Sequence, residues 1–396
     1  MHDAESTPRN LTVVAHDIGP FGGMESQLAE LVTRLLDRGV TVCAIGRRIE
    51  LEPHERLTTV EVSGPQRPFP LAYLWFFIFG SIVVARRRSG ALYTMGAIVL
   101  NHSDAAKVPF CHAAWARQPG RESRASGTGI AHRVSARLAA FLSRGGERLI
   151  YRPSRCDSLV AMSRSGTAEL DELFPAMRPA RTIPNGVDLE RFQLDPAARR
   201  AIRQELAIAD DQPVAVLLGG DWRRKGLPQV IEALADQTDW RLIVVGPGDV
   251  ASMLQHARAV GVESRVHFVG SVTAPERYLS AADALTMPSA YEPWGNAVLE
   301  ACAVGLPVVV APAHGVRDFV EDQRSGLIVD GSAESIATAL EVLADPALRL
   351  RLGARAHELA GGFSLDSVAD AYERLFFGRA HAAVTPSRSQ TSGAVA

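Results

Sequence analysis

Two glutamates eight positions apart, Glu292 and Glu300, flank a glycine-containing turn and a short apolar run. The stretch Ser289–Pro307 reads as a loop followed by a helix. Pro293 and Gly295 keep Glu292 in the loop, Asn296 is the expected N-cap, and Gly305 lies past the helix end. Glu300 then sits about one turn inside. A helix N-terminus presents unpaired N–H groups and a positive dipole end to phosphate. Carboxylates on either side accept hydrogen bonds from hydroxyls, one set on ribose and one on a second sugar. That geometry suits a nucleotide sugar. The plainer alternative is a solvated helix start, where acids are favoured anyway.

A second cluster, Gly219-Gly220-Asp221-Trp222-Arg223-Arg224-Lys225-Gly226, lies in a strand-to-helix loop. Its consecutive cations suit a diphosphate. Of 42 basic residues in the chain, only Lys107 and Lys225 are lysine, so each lysine does something the prevailing arginine does not. Lysine is a compact point charge and arginine a planar fork, which points to a tight phosphate pocket at Lys225. Arg223 is as good a candidate as Arg224 for the same role. A solvated basic loop is the bland reading. Gly22-Gly23 permits close backbone approach to a ligand, although an ordinary tight turn explains such a pair equally well. His112, in Val108–Trp115, is one of 11 histidines, and an isolated histidine is more often structural than catalytic.

These residues need elements to hold them. Leu11–Ala15 reads as a strand, followed by the loop at Gly19–Gly23. A helix over Met24–Arg38 comes next, closed by Gly39, and then a strand over Val40–Ile45. The alternation returns after Ile183-Pro184-Asn185-Gly186. Strands are expected at Val214–Leu218, Leu242–Val245, Val266–Val269, Ala284–Met287 and Pro307–Val310, with helices between them. The fold class is α/β, with two doubly wound halves and ligands at the carboxyl ends of the strands. A length of 396 residues agrees with two domains. We expect a first domain over 1–184 and a second over 185–365. A helix over 366–380 returns to the first domain, and a disordered tail occupies 381–396.

A net charge of −2 excludes a dedicated nucleic-acid binder. The four cysteines show no metal spacing and imply a reducing compartment. The polar N-terminus has no apolar core of a signal peptide, so a cytoplasmic protein is expected. Pro70–Ala85 is uncharged but short for a bilayer span; the leading reading is a buried helix of the first domain, the other a membrane-surface contact. Segment 112–155 carries nine arginines and two glutamates, with helical apolar spacing at 130, 134, 138, 141 and 142. It is either a solvated helix face or a surface for anionic lipid or an anionic acceptor, peripheral on the inner face of the cell membrane.

With these motifs in place, the chain resembles the family 4 retaining glycosyltransferases of the GT-B fold over roughly residues 10–375. The resemblance rests on FGGMESQLAELVTRLLDRGVTV, IPNGVDLERF, GGDWRRKGL and EPWGNAVLEACAVGLPVVV. It implies two Rossmann-like domains facing across a cleft, the donor held by the second and the acceptor mainly by the first. It also implies that Glu300 binds ribose, and that Glu292 with the main chain of Trp294, Gly295 and Asn296 holds the donor sugar. Arg224 and Lys225 would meet the diphosphate, Gly22 and Gly23 would approach it from the first domain, Val272 would lie near the base, and His112 beside the sugar. Trp294 and Asn296-Ala297 depart from the usual residues of the family.

The expected reaction is retaining sugar transfer from a nucleotide-sugar donor to an acceptor hydroxyl, lipid-linked or on a cell-envelope glycan. No Asp-x-Asp occurs in the chain, so no metal and no other cofactor is expected. Three other readings stay open. A nucleotide-sugar epimerase of the same fold would turn over without acceptor. A degenerate relative would bind sugar nucleotides without transfer. A pyridoxal-phosphate phosphorylase would need a free lysine, and both lysines are poorly placed or already assigned.

Overall fold

Runs of aliphatic and β-branched residues, bounded by glycine turns, form the strands. In the computed structural model, which describes residues 9–118, 130–177, 179–236, 239–312 and 315–378, they assemble into two parallel sheets. Across the first sheet the strands lie in the order Leu57–Glu61, Thr41–Gly46, Asn10–Val14, Ala91–Met95, Ala105–Lys107, Leu159–Ala161 and Arg181–Thr182. Across the second the order is Val266–Gly270, Arg241–Val245, Val214–Leu218, Ala284–Met287, Val308–Val310 and Gly326–Ile328. In both, the third strand in the chain stands at one edge and the first stands inside. The order therefore reverses beside Asn10–Val14 and beside Val214–Leu218, and such reversals open a crevice at the carboxyl ends of the strands. The expected doubly wound α/β architecture is what the chain adopts.

Helices cover the sheets with one apolar face each. Gly23–Asp37 buries Leu28, Leu31, Val32, Leu35 and Leu36, and Gly39, at φ +82°, ends the turn that follows. The helix Leu365–Phe377 packs on the first domain, not the second. Val368, Ala369 and Tyr372 join the core of Leu11, Val13 and Tyr93, and Tyr93 and Tyr372 share a hydroxyl hydrogen bond of 2.8 Å. Arg38 pairs with Asp366, Asp370 and the fully buried Glu373, which also pairs with Arg9.

One helix departs from what its sequence suggested, and a second turns apolar residues outward. The uncharged segment forms Phe69–Arg87, and its inner face, with Tyr73, Phe76, Gly80 and Val84, is buried. Its outer face, with Leu71, Leu74, Ile78 and Ile82, is exposed, so the expected buried helix is buried on one side only. A helix in an outer layer has one face on the sheet, and apolar residues all round cannot be covered by that contact alone. In Ile130–Ile150 the expected helical spacing is present, but Val134, Leu138 and Phe141 point to solvent. Arg121, Arg124 and the tail expected to be disordered lie outside the described residues.

Candidate functional site

The loop after Val214–Leu218 folds back so that Arg224 and Lys225 face Glu292 at the second sheet's carboxyl end. Asp221 is at φ +53° and accepts from Arg224 Nε at 2.7 Å. The Arg224 guanidinium also donates to the Tyr291 carbonyl and lies 3.3 Å from Glu292 Oε2. Lys225 is buried, with Nζ 3.4 Å from the same carboxylate oxygen and 3.2 Å from Met287 Sδ. Gly226 closes the loop at φ +84°, and a Cβ there would stand 2.8 Å from the Pro288 carbonyl oxygen. Arg223, an equal candidate by sequence, is exposed. Position in the turn, not residue type, separates the two arginines.

The two carboxylates are held in different states. Burial would raise the Glu292 carboxyl, but Lys225 and Arg224 outweigh it and hold it below its usual range. Ser289 Oγ adds a long contact at 3.5 Å. Burial lifts the Glu300 carboxyl to about 7, with Arg191 and Lys225 pulling it back and Glu276 pushing it further up. Arg191 is itself fixed by Glu276 at 3.0 Å and by the Thr273 carbonyl at 3.0 Å. Val272, just before that carbonyl, packs against the second domain's core.

The helix beyond Glu292 runs Asn296–Val304, and its N-cap is Gly295 at φ +95°, ψ +58°, not Asn296. The left-handed glycine makes the turn, and no side-chain cap is formed. Asn296 is engaged across the cleft instead. Its Nδ2 donates to the Gly23 carbonyl at 3.1 Å, and its Oδ1 accepts from Asn185 Nδ2 at 2.8 Å. Asn185 Oδ1 accepts from Lys107 Nζ, whose burial lowers it to about 7. One hydrogen-bonded chain thus joins the first sheet, the interdomain connection, the helix after Glu292 and the Gly22-Gly23 turn. Gln27 adds a two-way clasp on the Gly186 main chain, at 2.9 and 3.2 Å. Gly22 itself has extended backbone, so its conformation does not demand glycine. Trp294 buries its indole against Phe319 and Phe363, which leaves its main chain as the part next to the turn.

His112 opens the short helix His112–Trp115. The buried Glu147 carboxylate accepts the N–H of His112 at 2.7 Å and of Ala113 at 2.9 Å. Burial, then Arg144, lowers the imidazole to about 4, so it is neutral at pH 7. His112 packs edge-on to Phe110, and Phe110 and Trp115 flank Tyr291, whose hydroxyl donates to Glu169 at 3.0 Å. An aromatic clasp from the first domain therefore grips the residue before Glu292. Asn185, Arg191, Glu147 and Tyr291 were not singled out by sequence. Asn185 and Arg191 lie within IPNGVDLERF, and Glu147 is one of two acids in an arginine-rich stretch, which is the signal each offered.

Residues 21–191 match the family model for Glycosyltransferase Family 4, and residues 198–359 match that for Glycosyl transferases group 1. The chain belongs to glycosyltransferase family 4. Among curated relatives of this family 4 chain, the lipopolysaccharide core biosynthesis glycosyltransferase LpsE of Rhizobium meliloti is 40% identical over 177 residues, or 44% of this chain and 52% of that protein. The chain spans about half the length of several of the curated relatives it matches. A D-inositol 3-phosphate glycosyltransferase of Kineococcus radiotolerans is 28% identical over 89% of both chains. The solved structure of WaaG, a glycosyltransferase involved in lipopolysaccharide biosynthesis, superposes with a TM-score of 0.76 at 20% identity, over 93% of this chain and 100% of WaaG. Anabaena HepE in complex with UDP and glucose gives 0.67 at 18% identity, over 92% and 98%. The shared fold is GT-B.

Proposed function

We propose that this protein moves a sugar from a nucleotide-sugar donor to an acceptor hydroxyl, with retention at the anomeric carbon and without a metal ion. The observation that carries the reading is one carboxylate, Glu292, paired with Arg224 and Lys225 beside the N-terminus of Asn296–Val304. Arg224 and Lys225 pair with Glu292, so these charges offset one another. With donor bound, the cations face the diphosphate and Glu292 accepts from sugar hydroxyls. The anomeric C–O bond to the diphosphate breaks as the acceptor oxygen bonds the same face of that carbon. The acceptor proton passes to the departing phosphate, so no protein base is needed. Negative charge grows on the diphosphate, where Arg224, Lys225 and the helix N-terminus stabilise it electrostatically. Glu300 reads the ribose hydroxyls, with Arg191 fixing its surroundings. Neutral His112 offers a hydrogen bond to the donor sugar without repelling the developing oxocarbenium carbon.

The activities of the relatives support this class. They act in lipopolysaccharide core synthesis, on D-inositol 3-phosphate, or with GDP-mannose on a phosphatidylinositol mannoside. An anionic or lipid-linked acceptor follows as the proposal for this chain. Its four cysteines are all free and buried, in keeping with a reducing, cytoplasmic setting.

The test is a thermal-shift series with UDP-, GDP-, ADP- and dTDP-sugars, each with and without EDTA. One nucleotide series should stabilise the fold by about 2.7 kcal/mol at a hundredfold excess over Kd. Transfer with that donor should survive EDTA. No shift with any of the four overturns the donor reading; activity lost in EDTA and restored by Mn²⁺ overturns the metal-free part alone.

A further inference from the structure

Eleven of the fifteen exposed large apolar side chains among the described residues lie on just two helices, Phe69–Arg87 and Ile130–Ile150. On the first, Leu71, Leu74, Trp75, Ile78, Phe79 and Ile82 recur at helical spacing along the outward side. On the second, Val134, Leu138 and Phe141 do the same. The helices pack side by side, with Gly146 set against the Tyr73 ring, where a Cβ would collide with the phenolic hydroxyl. Monomers rarely leave a contiguous apolar surface of this kind in water. By length and composition Phe69–Arg87 is apolar enough to cross a bilayer, but its inner face is fixed in the first domain's core, so it lies on a surface and does not thread one.

The charges around this surface choose its occupant. Phe69–Arg87 contains no carboxylate, and the single one in Ile130–Ile150, Glu147, is buried on the N–H groups of His112 and Ala113. Arg86 and Arg87 are exposed at the end of the first helix, and Arg137 and Arg148 along the second. An apolar stripe rimmed by arginines and stripped of acids complements anionic lipid headgroups above acyl chains. A second copy of the chain would bring the same acid-free surface and no counter-charge.

We infer that the outer faces of Phe69–Arg87 and Ile130–Ile150 form one docking surface for an anionic bilayer. The contact expected for 112–155 is thereby narrowed to one face of its helix and extended to a second helix that supplies most of the apolar area. The surface connects to the site through Glu147, which caps the helix bearing His112. Docking thus sets the acceptor side of the cleft near the lipid, and this last step rests on the transferase reading; the docking itself does not.

Flotation of the full chain with vesicles tests it. The protein should float with phosphatidylcholine–phosphatidylglycerol vesicles, bind pure phosphatidylcholine more weakly, and lose the difference in high salt. Ile78→Glu and Phe141→Glu should each cut the partition coefficient roughly tenfold or more, because each removes a large inserted side chain. Leu350→Glu, at a still more exposed position on the second domain, should change nothing. Retained nucleotide-induced thermal shifts in the variants will show that they are folded and separate this result from the donor reading. No flotation of the wild type, or equal loss with Leu350→Glu, overturns the proposal. So does a lipid-free dimer that Ile78→Glu turns into monomer, which would give the surface to a second copy.

Discussion

At the scale of the residue, Glu292 and Glu300 share a residue type and differ in environment. Two cations keep Glu292 ionised, whereas burial outweighs more distant cations at Glu300 and raises it to about 7 from an ordinary 4.5. The folded protein therefore binds more protons at Glu300 than the unfolded chain between those values. Stability from this group is full below about pH 4.5 and is lost as pH rises through 7. Glu300→Gln should match the wild type near pH 5 and exceed it by roughly 1–3 kcal/mol above pH 8, while weakening nucleotide binding. Urea unfolding at the two pH values measures this. Parallel pH profiles for the two proteins would show that Glu300 is not held in its protonated form. The group serves ligand binding at the expense of folding stability, as site residues often do.

At the scale of the element, the helix Asn296–Val304 is aligned by contacts from outside its own domain. Asn296 reaches both Asn185 and Gly23, and Lys107 holds Asn185 from the first sheet. Asn296→Ala removes both contacts of that side chain and leaves the loop holding Glu292 intact. At about 1 kcal/mol for each bond, donor KM should rise about 5- to 30-fold. Asn185→Ala should give a similar rise, and the double variant should fall short of the product, because the two residues share one bond. Additive effects in steady-state kinetics would mean that the chain does not act as a unit. The same elements explain Arg224 against Arg223: a turn with Asp221 at φ +53° and Gly226 at φ +84° sends one into the cleft and the other to solvent.

At the scale of the whole molecule, the two sheets are joined twice. The chain crosses once at 183–187, and again when Leu365–Phe377 packs on the first domain. The second crossing depends on Arg38, which meets Asp366, Asp370 and Glu373, the last fully buried. Arg38→Ala leaves Glu373 with Arg9 as its remaining cation and should cost about 2–4 kcal/mol. The urea midpoint should fall accordingly. The limited-proteolysis rate near residue 365 should rise, since a loosened helix exposes its ends. An unchanged midpoint would make this network a surface ornament.

The sequence by itself determined the alternation of strands and helices, because hydrophobic period and glycine turns are local properties. It also determined the chemistry available at Glu292, Glu300, Lys225 and His112, because residue type sets charge and hydrogen-bonding capacity. It left Arg223 and Arg224 equivalent, assigned the cap to Asn296, and passed over Asn185, Arg191, Glu147 and Tyr291. Only the tertiary structure decided these, since each depends on a partner far away in the chain: Tyr291 on Phe110 and Trp115, Asn185 on Lys107, Glu147 on the N–H groups of His112 and Ala113. The same holds for the apolar helix Phe69–Arg87. Composition announced that it seeks an apolar environment. Packing alone decided that one face finds it in the core and that the other is left facing outward.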